Sequence, residues 1–176
     1  MIITGGKDMG LMRKLMMGCA PGERILVNTT TATDSGSMPA MVMKVGASYS
    51  VSWAGTIPSS NYHPYYLFEI LGGHGVLSGM CYAKLERWGS KEKLYIALLG
   101  TTLYSATVHV GDSIALELRF KVNTVSTSSP YYTMDVELYV NGTQKVSGTR
   151  PGTTDTGEGL RYYDNLPGTF VIKKLS

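Results

Sequence analysis

Charge is scarce in this sequence: 16 basic and 13 acidic side chains make up 16% of its 176 residues, against roughly 25% in an ordinary globular chain. The small basic excess is scattered. No run of Lys or Arg exceeds two, as in Arg13-Lys14 and Lys173-Lys174, whereas a nucleic-acid binder concentrates its positive charge on one face or arm, so no nucleic-acid partner is expected. Long apolar runs are missing too. No stretch approaches the roughly 18 residues that a membrane-crossing helix needs, so no membrane partner is expected. Between Met1 and Cys19 the basic residues stand without the continuous apolar core of a signal peptide, and assembly in the cytoplasm is expected. Cysteine occurs only at Cys19 and Cys81, which without export read as free, partly buried thiols. The three histidines, His63, His74 and His109, have no metal partner at i+2 or i+4. No dense Asp/Asn loop suits calcium, no Gly-x-Ser-x-Gly elbow is present, and no glycine-rich turn leads into a helix as a phosphate cradle does. No cofactor or metal is expected.

What replaces charge is hydroxyl and glycine: 16 Ser, 18 Thr and 21 Gly. Hydrophobic residues still make up 43%, enough for one packed interior at this length. One segment reads as helical. Met9, Met12, Leu15 and Met16 recur at helical spacing within 8–17, with Gly18 placed as a C-cap. Beyond Pro21-Gly22 the period becomes two. Strands are expected at 24–30, 40–45, 48–53, 65–71, 77–86, 94–99, 101–109, 114–122, 134–140 and 170–175, with a glycine- and threonine-rich loop at 148–159. Turn signals every 8–12 residues and little helix predict an all-β, two-sheet antiparallel sandwich over 23–176, with 1–22 as a docking arm.

The clearest pair is 114–122 with 134–140. Ile114, Leu116, Leu118, Phe120 and Val122 alternate with polar residues, as do Met134, Val136, Leu138 and Val140, giving each strand one buried and one wet face. Matching opposite charges across the pair sets Arg119 opposite Glu137 and Lys121 opposite Asp135. Asn141-Gly142 is the strongest hairpin signal. A plain two-residue turn there would aim Val146 outward, so an extra residue near Thr143 is expected to return it to the core. Trp53 joins Leu118, Phe120, Val136 and Leu138 as expected core.

The segment 113–148, with "SIALELRFKV" followed by "MDVELYVNGTQKVSG", resembles the laminin-G-like branch of the concanavalin A-like jelly rolls. That resemblance covers about a fifth of the chain and implies the fold. The hydroxyl-rich composition without an export signal also looks like a bacteriophage virion protein. Glycosidases of the resembling fold carry a Glu-x-Asp-x-Glu-like strand. The nearest match here, Asp135-Val136-Glu137, lacks the first acid, and its other reading is a solvated face opposite Arg119 and Lys121.

Three tyrosine pairs stand out at expected loop-to-strand junctions: Tyr65-Tyr66, Tyr131-Tyr132 and Tyr162-Tyr163. Together with Trp88 they are candidate ligand- or partner-binding residues, since one ring of a junction pair can face out and offer rigid area with a polar tip. Met9, Met12, Leu15 and Met16 are the candidate subunit-docking residues. The leading expectation is a non-enzymatic virion structural protein, a tail, baseplate or capsid-decoration part that contacts other virion proteins and copies of itself. The second is a carbohydrate-binding, adhesin-like module that takes cell-surface glycan. The third is a glucanase-type hydrolase, which the incomplete carboxylate pattern disfavours.

Overall fold

The computed structural model describes residues 22–30, 34–38, 43–57, 59, 65–71, 79–88, 91–152, 160–164 and 168–176. They form twelve strands: β1 (Arg24–Thr29), β2 (Asp34–Met38), β3 (Ser48–Thr56), β4 (Tyr65–Leu71), β5 (Gly79–Trp88), β6 (Lys91–Leu98), β7 (Thr101–Val108), β8 (Ser113–Val125), β9 (Tyr132–Val140), β10 (Thr143–Gly152), β11 (Leu160–Asp164) and β12 (Thr169–Lys174). Two six-stranded sheets result, ordered β1-β12-β3-β8-β9-β10 and β2-β11-β4-β5-β6-β7. Every pairing is antiparallel. This is the two-sheet sandwich that the alternation predicts, consistent with a jelly roll. The helical reading of 8–17, with Met9, Met12, Leu15 and Met16, lies outside the described residues.

The core is the set of inward positions on both sheets. Trp53, Leu118, Phe120, Val136 and Leu138 are all buried, as expected, against Leu67, Phe68, Ile70, Leu85, Leu94 and Ile96 of the second sheet. Phe68 of β4 stacks on Phe170 of β12 at 5.1 Å, one of the ring contacts that tie the sheets together. Cys81 is fully buried in β5 rather than partly so, and its burial pushes the thiol well above its ordinary range.

The β8–β9 pair has the expected register, with Arg119 opposite Glu137 and Lys121 opposite Asp135. At the hairpin, Asn141 and Gly142 both adopt positive φ, 50° and 73°, the backbone that a tight turn between twisted strands requires. The Asn141 side chain accepts the Ala115 amide at 2.8 Å and so fastens the turn to β8. The expected extra residue is Lys145: the ladder passes from Gln144 opposite Tyr139 to Val146 opposite Leu138. Val146 packs against the core as a result.

Three readings are corrected. The described part of the 40–45 segment is not strand. Lys44 accepts the Ala47 amide and Gly46 donates to Val122, with Gly46 at φ +87°, so 43–47 forms a turn. The loop expected at 148–159 begins later, because β10 continues to Gly152 along the edge of its sheet. There Pro151, which lacks an amide hydrogen, is tolerated. β2 and β11 were not expected. Each is five residues long and draws its hydrogen bonds from a neighbouring strand rather than announcing itself by periodicity.

Candidate functional site

Two outward sheet faces carry the polar side chains. On the first sheet a groove of about 590 Å³ is lined by Ser50, Ser52, Glu117, Arg119, Tyr139 and Lys173. Its charges are already satisfied. Arg119 forks onto Glu117 of its own strand at 2.8 and 3.0 Å, Ser50 donates to the same carboxylate at 3.0 Å, and Arg119 lies 5.1 Å over the Tyr139 ring. The Tyr139 hydroxyl donates to Glu137 at 3.1 Å. Asp135 accepts the Thr149 hydroxyl at 2.7 Å, which with Asn123 and Lys121 holds its carboxyl below the usual range. The Asp135–Glu137 pair is therefore a hydrogen-bonded strand face opposite Lys121 and Arg119.

The second sheet presents a different surface. Alternation along β5 buries Cys81, Ala83 and Leu85 and turns Tyr82, Lys84 and Glu86 outward, while β6 buries Leu94 and Ile96 and turns out Lys93 and Tyr95. Cross-strand partners share a face, so the ladders assemble rows. One row runs Tyr163, Glu69, Tyr82 and Ala97 across β11, β4, β5 and β6. The next runs Tyr66, Lys84, Tyr95 and Ser105 across β4, β5, β6 and β7. Glu86, Lys93 and Thr107 form a third. At roughly 4.8 Å per strand, four strands span about 14 Å.

The side chains on these rows touch. Tyr66 and Tyr82 meet edge to face at 5.6 Å. Lys84 stands 5.6 Å over the Tyr82 ring and 5.5 Å over that of Tyr95, and Lys93 stands 5.0 Å over Tyr95. Lys84 also ion-pairs with Glu86, and this hydrogen bond raises the lysine above its usual range. Burial pushes the half-buried Glu69 carboxyl upward. It pushes the Tyr66 phenol upward as well, helped by the charge of Glu69.

Two of the seven residues expected to bind therefore share this face, Tyr66 and Tyr163. The others stand elsewhere. Tyr132 is buried and Tyr131 packs against the core beside it. Tyr162 turns inward, 6.1 Å from Phe170, and its pair lies within β11 rather than at a loop junction. The side chains of Tyr65 and Trp88 lie outside the described residues, as do Met9, Met12, Leu15 and Met16. Sequence reasoning missed Tyr82, Lys84, Lys93 and Tyr95. Their signal was present as the alternations Tyr82-Ala83-Lys84-Leu85-Glu86 and Lys93-Leu94-Tyr95-Ile96.

No family model matches the chain, and no curated protein does. Among solved structures it is similar to alginate lyase Aly36B, with 12% identity, 86% of this chain and 77% of that chain covered, and a TM-score of 0.45. The galectin LEC-6 of Caenorhabditis elegans shares 12% identity over 84% of this chain and 93% of that one, with a TM-score of 0.37. A carbohydrate esterase from the Shiga toxin-encoding bacteriophage phi24B shares 9% over 84% and 72%, with a TM-score of 0.40.

Proposed function

We propose that this chain is a non-enzymatic carbohydrate-binding module that takes glycan on the outward face of its second sheet. The observation that supports this reading is the assembly of Tyr66, Tyr82, Tyr95 and Tyr163 with Lys84 and Lys93 across four adjacent strands. Tyrosine offers rigid contact area that costs little entropy to fix, with a hydroxyl that both donates and accepts. A sugar offers alternating hydroxyls and C–H surface, and a flat sheet bearing such rings meets several of its residues at once. The virion part expected from composition is the setting we propose for the face, carrying it to a glycan-coated cell surface. A glycan array with the full chain tests the binding. Tyr82→Ala and Tyr95→Ala are expected to lose about tenfold or more in affinity, the size of loss seen at tyrosine hot spots near the centre of an interface, with melting still cooperative. Binding unaffected by both variants would move the site off this face. A native mass measurement tests the assembly role, for which a clean monomer at all concentrations is the contrary result.

A further inference from the structure

Resting on that reading, we infer that the glycan is anionic, bearing carboxylate or sulfate groups, and that Lys84 and Lys93 are the residues that read its charge. The ring planes on this face are not bare. Each ammonium lies within the roughly 6 Å range in which a cation is held by an aromatic face, Lys84 over both Tyr82 and Tyr95 and Lys93 over Tyr95. A neutral sugar stacking on Tyr82 or Tyr95 would have to displace a lysine. An anionic group instead meets an ammonium already fixed in place, with the Tyr66 and Tyr95 positions flanking Lys84 in its row and the Ser105 position beyond. The tyrosines thus act as holders of the cations as well as contact area.

The sign of the face supports the same ligand. Lys84, Lys93 and Arg161 of β11 stand against Glu69 and Glu86, and Lys84 already answers Glu86. On the first sheet's face Arg119 is committed to Glu117 by two hydrogen bonds and Lys173 lies 3.7 Å from Glu23; on the second, Lys84 is held by Glu86 in the same way, but Lys93 makes no ion pair with the described residues and stands over the Tyr95 ring alone.

The test measures binding of the full chain to polygalacturonate oligosaccharides and to the same oligosaccharides with their carboxylates reduced to alcohols, with dextran sulfate and dextran as a second matched pair. At least one anionic member is expected to bind about tenfold more tightly than its neutral counterpart, and more weakly as NaCl rises from about 0.05 to 0.5 M. The pair that responds tells carboxylate from sulfate recognition. Lys93→Gln should lower the affinity severalfold while Lys93→Arg keeps it. Lys84→Gln should do the same, and should it fail to fold, the Lys93 pair of variants decides. Neutral and anionic members binding equally, insensitive to salt, would overturn the charge inference and leave the glycan reading standing. Anionic binding untouched by either lysine variant would overturn it as well. Failure of any glycan on the array and of all four probes would remove the glycan reading itself.

Discussion

Phe120 shows how much a single inward position on β8 does. It is 2% exposed, opposes Tyr49 and Val136 in the ladders, and its ring lies 5.6 Å from that of Tyr49. Truncating it leaves a cavity that neighbours on two strands cannot close, so Phe120→Ala is expected to cost about 3–5 kcal/mol in urea unfolding. A loss below about 1 kcal/mol is what an outward position would give. Glu117, three residues before it on the outward face of β8, contributes a pH dependence instead. Burial alone would raise its carboxyl, but hydrogen bonds from Arg119 and Ser50, with the charges of Arg119 and Lys173, outweigh burial and set it below the ordinary 4.5. The unfolded chain then binds the proton more readily. Its contribution is therefore present above pH 4.5 and is lost as the pH falls through the depressed folded value. Urea midpoints measured from about pH 5 down to 3 should fall less steeply in Glu117→Gln than in the wild type. Glu69 acts with the opposite sign: its raised carboxyl carries a penalty that is absent in acid, develops as the pH climbs above the ordinary 4.5 and is complete once the pH has passed the folded value.

Strands respond to changes in register rather than in size. Lys145 is the unpaired residue of the β9–β10 bulge, and removing it would leave Gln144 opposite Tyr139 and Val146 opposite Leu138 in an unbroken ladder. Deletion of Lys145 is expected to alter stability by no more than about 1 kcal/mol, as at other exposed sites. Deletion of Arg119 differs entirely. It moves Phe120 and Val122 to the wet face of β8, because a one-residue slip inverts every following side chain, and no folded protein should be recovered. Similar deletions with similar outcomes would mean that the ladder tolerates slippage. The contrast also explains what was readable in advance. β8 and β9 alternate over nine or more residues, so pattern alone fixes their faces and charge pairing fixes their register. β2 reads Asp-Ser-Gly-Ser-Met, a composition that suits a turn equally well, and only pairing with β11 makes it strand. The local signal was never there, since the hydrogen bonds come from residues more than a hundred positions away.

At the scale of the whole molecule, strand order decides which side chains meet, and this is why the candidate face was only partly legible. Tyr66 and Tyr163 were visible as members of pairs, but their meeting with Tyr82 and Tyr95 needs β11 beside β4 and β4 beside β5. No run of sequence states that order. The same order puts Tyr139 on the other side of the sandwich, in the groove of the first sheet, with two stacked sheets about 10 Å apart between them. The two tyrosines have comparable company. Tyr139 lies under Arg119 and Tyr95 under Lys84 and Lys93, so either substitution by alanine should lower stability slightly through the lost cation–aromatic contact. Their effects on binding should separate. Tyr95→Ala is expected to weaken glycan affinity about tenfold, while Tyr139→Ala should leave it unchanged to within about twofold. In the double variant the stability losses should add to within about 0.5 kcal/mol, because the positions share no partner. On the three variants, titration calorimetry measures the affinities and urea unfolding the stabilities. If Tyr139→Ala alone abolished binding, the groove over β3 and β8 would be the site, and the fixed ion pairs there would have to open to admit the ligand.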